Sequence, residues 1–257
     1  MTIQLNGLSL YLLVFVRFAG MIAFNPLLSR RNVPNNVRTI FALALTFVIA
    51  PTLDIGTVAD FVGIDLAVSM VKELFVGFIC GYAFQIFYEM LLFAGDMLDT
   101  EFGMSMAKIF DPGTNMQVSL TGKLLTFLFV GYFFATDSHL VMIHMFATTF
   151  SIVPPGTVTF TQDAMRYGME LFVNVFVLAL RLVTPFMAAE FVMQAAMGVL
   201  MKLVPQIHVF VINFQLKQGL GLIMLFILAP VVGAFMDNYI VILLDSMQKA
   251  AEMLIIA

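Results

Sequence analysis

The sequence predicts an all-α, polytopic membrane protein, and three observations carry that prediction. Of 257 residues, 61% are hydrophobic and only 11% are charged. Mean hydropathy is +1.02. Apolar segments separated by short polar breaks run from Leu8 almost to the C-terminus. A soluble domain is about half apolar and about a quarter charged, so a soluble fold could not hide this much apolar surface. Lipid requires backbone polar groups to be satisfied internally, which leaves helices or closed barrels, and the alternating pattern of barrel strands is absent.

About six long helical segments follow in order, near 8–28, 37–53, 64–102, 121–150, 165–203 and 207–254. They are read as one membrane-embedded domain, 1–257. Turn-forming clusters separate them: Ser29 to Asn36 with Pro34, Pro51 to Gly63, Asp111 to Asn115, Val153-Pro154-Pro155-Gly156, and Val204-Pro205-Gln206. No Lys or Arg precedes Arg17, so a cleavable leader with a basic start is not expected. Arg30, Arg31 and Arg38 fall in the first break, Lys108 and Lys123 in the third, and Lys202 and Lys217 flank the fifth. The positive-inside rule then places the odd breaks in the cytoplasm and both termini outside.

Length complicates a picture of simple spans. Thr39 to Leu53 is a charge-free run of 15 residues, about 22 Å of helix against a hydrocarbon core of about 30 Å. Leu74 to Tyr88 is equally short. Several segments therefore read as half-length hairpin arms packed on protein.

Charges interrupt the apolar runs at Arg17, Lys72, Glu73, Glu89, Asp96, Asp137, Arg181 and Glu190. Each would cost about 2.5 to 3.5 kcal/mol at the centre of a lipid-facing helix, so they cannot all face lipid. They pair inside the fold or at a subunit interface, or some line an aqueous path. Gly77 and Gly81 form a GxxxG, Gly131 and Ala135 repeat its spacing, and Ala188, Ala189, Ala195, Ala196 and Gly198 lighten the fifth segment. Small residues at that spacing let helices approach closely, within one chain or between chains. Met97, Met104, Met106 and Met116 bracket a polar, glycine-containing loop, where flexible thioethers suit changing neighbours.

The net charge of −4 carries no basic stripe, which argues against nucleic acid. Cys80 is the sole cysteine, excluding an intrachain disulfide and a thiolate cluster. His139 and His144 are five apart, about 140° around a helix, and no HExxH, GxSxG or P-loop occurs. No catalytic residue, metal or cofactor is expected, and the chain reads as a non-enzyme.

Four blocks of this sequence resemble the FliR family of flagellar export-gate proteins. The first is Arg17-Phe18-Ala19-Gly20, Asn25-Pro26, Val33-Pro34, Arg38 and Ala50-Pro51. The second runs Lys72-Glu73-Leu74-Phe75-Val76-Gly77, Gly81-Tyr82-Ala83-Phe84, Ala94-Gly95, Phe102-Gly103-Met104-Ser105-Met106-Ala107 and Phe110-Asp111-Pro112-Gly113. The third is His139-Leu140, Ser151 and Val153-Pro154-Pro155-Gly156; the fourth runs from Gly198 through Pro205-Gln206-Ile207-His208-Val209-Phe210 to Gln215-Leu216-Lys217 and Gly221-Leu222. The second and fourth blocks are the specific ones. His208 and Gln215 depart from the family pattern, in a region of inter-helix contact.

The resemblance implies a membrane subunit of the flagellar type III protein-export gate. It would sit in the bacterial inner membrane at the basal body and assemble helically with the FliP, FliQ and FlhB gate proteins around a channel for unfolded flagellar proteins. It places a pore plug at Met104, Met106, Ile109, Phe110, Asp111 and Pro112, and inter-helix contact around Pro205, Gln206 and Phe210; packing or subunit contact at Gly77 and Gly81 is expected from their spacing. Arg17, Lys72, Glu73, Glu89, Arg181 and Glu190 remain the candidate intramembrane charges. The alternative is a small secondary transporter with its own substrate site at a charge such as Arg181 or Glu190; the inverted internal symmetry that would favour it is not found.

Overall fold

A computed structural model of the protein describes residues 2–29, 33–53, 63–105, 119–158, 162–203 and 209–253; the side chains of 2–6, 162–165 and 209–211 lie outside that description. Among the described residues eight α-helices follow one another: α1 (Thr2–Ala23), α2 (Asn35–Ile49), α3 (Ile64–Glu101), α4 (Leu120–Ala135), α5 (Ser138–Ile152), α6 (Gln162–Leu203), α7 (Val209–Ile227) and α8 (Ala229–Glu252). A 3₁₀ turn, Ala50–Thr52, follows α2, and the described residues contain no strand.

Local chemistry sets the boundaries. Pro34 stands at the N-cap of α2, and Pro51 sits in the 3₁₀ turn that ends it. Gly103, at φ +73, takes the left-handed conformation that closes α3. Two expected segments are interrupted. The segment near 121–150 breaks at Thr136 and Asp137, where Asp137 has φ 54, a conformation short polar side chains tolerate. The segment near 207–254 breaks at Leu228, just ahead of Pro230, which has no N–H to continue the ladder and is accommodated in the first turn of α8.

The chain divides into two compact units, Met1–Phe87, Asp137–Val173 and Val241–Ala257 in the first, Tyr88–Thr136 and Asn174–Ile240 in the second. In the first, α1 buries the stripe Leu10, Leu13, Val14, Phe18 and Met21, and Phe18 meets Phe150 of α5 at 5.0 Å between ring centroids. The spacing is that of one helical face. In the second, Phe129 and Phe133 of α4 are fully buried, and Phe129 packs edge-on against Tyr239 of α8 at 6.2 Å.

Among the described residues, two helical stretches can cross a membrane by length and composition, Arg166–Leu203 and Ala229–Glu252, or three spans if the interrupted pair α4 and α5 counts as one. α2 has only 15 residues, whereas α3 has 38 but carries Lys72, Glu73, Glu89, Asp96 and Asp99.

Candidate functional site

In the first unit the polar centre is Arg17, one of the largest fully buried side chains. Its Nε donates to Glu73 Oε2, and both side chains are 0% exposed. Nη1 donates to the Thr149 and Val153 carbonyls, at 3.0 and 2.8 Å. The guanidinium carbon stands 4.4 Å from the centroid of the Phe150 ring. The second carboxylate oxygen of Glu73 accepts from the Gly156 N–H at 2.8 Å, and Gly156 has φ +84, where a side chain would be strained. One ion pair thus ties α1 and α3 to both the C-terminal turn of α5 and the Val153-Pro154-Pro155-Gly156 turn.

Glycines bring the helices close enough for that pair to form. A Cβ on Gly20 would stand 2.8 Å from the Leu74 carbonyl oxygen, one on Gly81 would stand 2.9 Å from the Met21 carbonyl oxygen, and one on Gly77 would collide with the backbone of Arg17. The GxxxG of α3 therefore meets α1 of the same chain. Asn25, wholly buried, adds an Asx turn: its Oδ1 accepts from the N–H groups of Leu27 and Leu28 at 2.9 and 3.3 Å, and its Nδ2 lies 3.3 Å from Met142 Sδ.

The second unit holds the two ends of the 106–118 connection. Asp99, 1% exposed near the end of α3, accepts from the Leu120 and Thr121 N–H groups at 2.7 and 3.0 Å. A carboxylate at a helix N-terminus satisfies two otherwise unpaired donors and complements the helix dipole. Ser119 adds the N-cap, its Oγ accepting from the Gly122 N–H at 2.8 Å. Gly95 lies directly against the backbone of Gly122, so α3 and α4 touch without side chains between them. Phe102 is buried against Phe186 at 6.0 Å, and a Cβ on Gly221 would stand 2.5 Å from its ring.

Among the expected plug residues, Met104 is half-buried just past Gly103, while Met106, Ile109, Phe110, Asp111 and Pro112 lie outside the described residues, as does Met116. Pro205 and Gln206 also lie outside them, and Phe210 is described only as backbone in the first turn of α7. The flagged charges separate. Arg17 and Glu73 come together, Lys72 is half-buried beside them in sequence, and Glu89, Asp96 and Asp137 are exposed. Arg181 is exposed on α6; Glu190 is buried on the same helix, with neither carboxylate oxygen hydrogen-bonded among the described residues. Gly131 and Gly198 face open space.

Sequence reasoning missed Asp99, Asn25 and Gly20 as structural residues. Asp99 did carry a signal: a carboxylate in the last turn of α3 opposes that helix's own dipole unless it serves another element. The short Asn25-Pro26 pair could have been read as an Asx turn.

Fold and sites together define an all-helical membrane protein whose buried polar groups lock helices to one another. The model for bacterial export proteins, family 1, matches residues 8–241, and the chain belongs to that family. Three relatives carry the name flagellar biosynthetic protein FliR. That of Escherichia coli K12 is 28% identical over 238 residues, 91% of this chain and 89% of its own length. That of Pectobacterium carotovorum is 27% identical over 243 residues, 91% and 90% of the two chains. That of Bacillus subtilis 168 is 25% identical over 242 residues, 93% of each.

Proposed function

We propose that this chain is a membrane subunit of the flagellar type III protein-export gate, forming part of the channel for unfolded flagellar proteins. The observation that carries the reading is end-to-end similarity to export proteins named for flagellar biosynthesis, over about nine-tenths of both chains. The family's quoted blocks are also the residues that do structural work: Arg17, Glu73, Gly77 and the Val153 to Gly156 turn meet in one place. The whole chain then acts as one membrane-embedded domain, without catalytic groups or cofactor, in the inner membrane at the basal body. Its partners are the FliP, FliQ and FlhB gate proteins, and its passing substrates are unfolded flagellar proteins.

Within that reading, residues 103–117 plug the path when no substrate is present. The segment mixes Met104, Met106, Ile109, Phe110 and Met116 with Gly103, Asp111, Pro112, Gly113 and Asn115. That is too apolar to favour water and too rich in turn-formers for an ordinary spanning helix, and non-helical backbone at membrane depth is tolerated where it lines a cavity. The Asp99 clamp and the Gly103 turn supply fixed anchors at its two ends.

Purification in mild detergent from cells co-expressing the gate genes tests the complex: the chain should bring the other small membrane proteins with it. Deleting 106–113 should leave that complex assembled and let small ions or dyes cross the membrane. An assembled deletion complex in cells as impermeable as the parent would place the seal elsewhere. A chain that purifies alone, stable and complete, would support the transporter reading.

A further inference from the structure

The surplus charge on α6 points to an interaction surface. Arg181 lies in the stretch Arg166–Leu203, which is apolar enough to span a membrane, and its side chain is exposed. Among the described residues no hydrogen bond, ion pair or ring contact reaches its guanidinium. Glu190 cannot supply a partner along the same helix: nine residues on, it sits about half a turn round the axis, on the buried side. An arginine in that position is costly against lipid and marks a face that meets something polar.

The helix beside it is also irregular. Pro185 brings no N–H to the carbonyl of Arg181 four residues back, so the helix's own hydrogen-bond ladder is interrupted beside the charge. Lipid offers no donor for that carbonyl. Thr184 and Ala188 flank it, and Ala195 continues the same exposed stripe between Val192 and Val199, which are 67% and 61% exposed. The contrast is with the C-terminal half of α7 in the same unit, where Leu222, Ile223, Phe226 and Ile227 are exposed, all bulky and apolar. One face suits acyl chains; the other admits a close backbone and asks for an anion.

We propose that the Arg181 face of α6 receives a helix from a different chain of the assembly, and that this helix brings a carboxylate to the Arg181 guanidinium. The proposal rests on the gate-subunit reading. A lipid phosphate fits less well, because small residues along the stripe give a headgroup nothing to pack on. A second copy of this chain would oppose arginine to arginine across a two-fold contact. The carboxylate meets the guanidinium in a desolvated setting, where the sign of the charge decides the contact and lysine preserves it.

The test uses the full chain co-expressed with the other gate subunits of its genome and purified through a tag on this chain. Arg181→Lys should keep co-purification within about twofold of the parent, Arg181→Gln should lower it several-fold, and Arg181→Glu should lower it by about tenfold or more. If Arg181→Glu is degraded before purification, Ala188→Leu decides, since it leaves every charge in place: loss of partners with the chain itself present supports the docking face. Parent-level co-purification of Arg181→Glu overturns the proposal, as does equal loss in Arg181→Lys and Arg181→Glu, or an assembled Arg181→Glu complex whose only change is ion permeability. A parent chain that brings no partner at all removes the gate-subunit reading itself, an outcome distinct from these.

Discussion

Two pairs of intramembrane charges, one in each compact unit, are handled in opposite ways. In the first, Arg17 and Glu73 are both wholly buried and use each other, two carbonyls, a backbone N–H and an aromatic ring. In the second, Arg181 is exposed and Glu190 is buried, and neither has a hydrogen-bonded partner among the described residues. Both units are apolar and helical, so composition does not separate them. The difference is that a charge completed within its own chain, such as Arg17, holds a fold together, whereas Arg181, left open on an apolar face, looks outward.

The comparison breaks most sharply at the closed pair. Glu73→Ala leaves an uncompensated guanidinium in the interior and should destabilise the first unit by about 3 to 5 kcal/mol, read as loss of the chain from membranes or a lower melting temperature in detergent. Replacing both partners together, Arg17→Met with Glu73→Leu, should recover much of that loss, because the desolvation cost disappears with the charges. A double variant as unstable as Glu73→Ala would show that the carbonyl and N–H contacts matter more than the ion pair.

Gly77→Leu comes next. Its side chain would meet α1 backbone rather than a flexible side chain, so overpacking should cost about 1 to 3 kcal/mol or more, whereas Gly131→Leu, facing open space, should leave stability unchanged. Equal effects would remove the distinction between closed and open glycine faces.

In the second unit Asp99→Ala should cost about 1.5 to 3 kcal/mol through two charge-assisted bonds. Hydrogen exchange at the Leu120 and Thr121 amides should quicken selectively, with Asp99→Asn intermediate. Protection at those amides that is unchanged in Asp99→Ala would show that Ser119 alone caps α4.

The smallest effect belongs to the exposed pair Arg166 and Glu170, whose side chains are 76% and 58% exposed. Glu170→Gln should change stability by less than about 0.5 kcal/mol. A larger loss would mean that this surface is covered in the assembly.

What was legible in the sequence follows the range of the interaction. The apolar helices, the short Asn35–Ile49 helix and the cost of placing Arg17 and Glu73 in lipid are local properties. Which charge pairs with which is not local: Arg17 and Glu73 lie 56 residues apart, and Gly156 lies 83 beyond Glu73. The glycines of α3 announced close packing but not that α1 was the partner. Asp99 escaped notice because its partners are backbone N–H groups, which every residue but proline carries. The break at Leu228 was obscured by unbroken hydrophobicity, since apolarity persists through that turn, whereas the polar run Thr136-Asp137-Ser138-His139 marked the other break and was read as an interruption within one helix.

The claim at the centre of this account is that the chain is needed for flagellar proteins to leave the cell. Its gene should be deleted and the parent sequence restored on a plasmid, with secreted flagellar proteins measured in the culture medium by immunoblot while their intracellular synthesis is followed in the same samples. The account predicts synthesis without secretion in the deletion strain and secretion regained on restoration. Parent-level secretion in the deletion strain would contradict it.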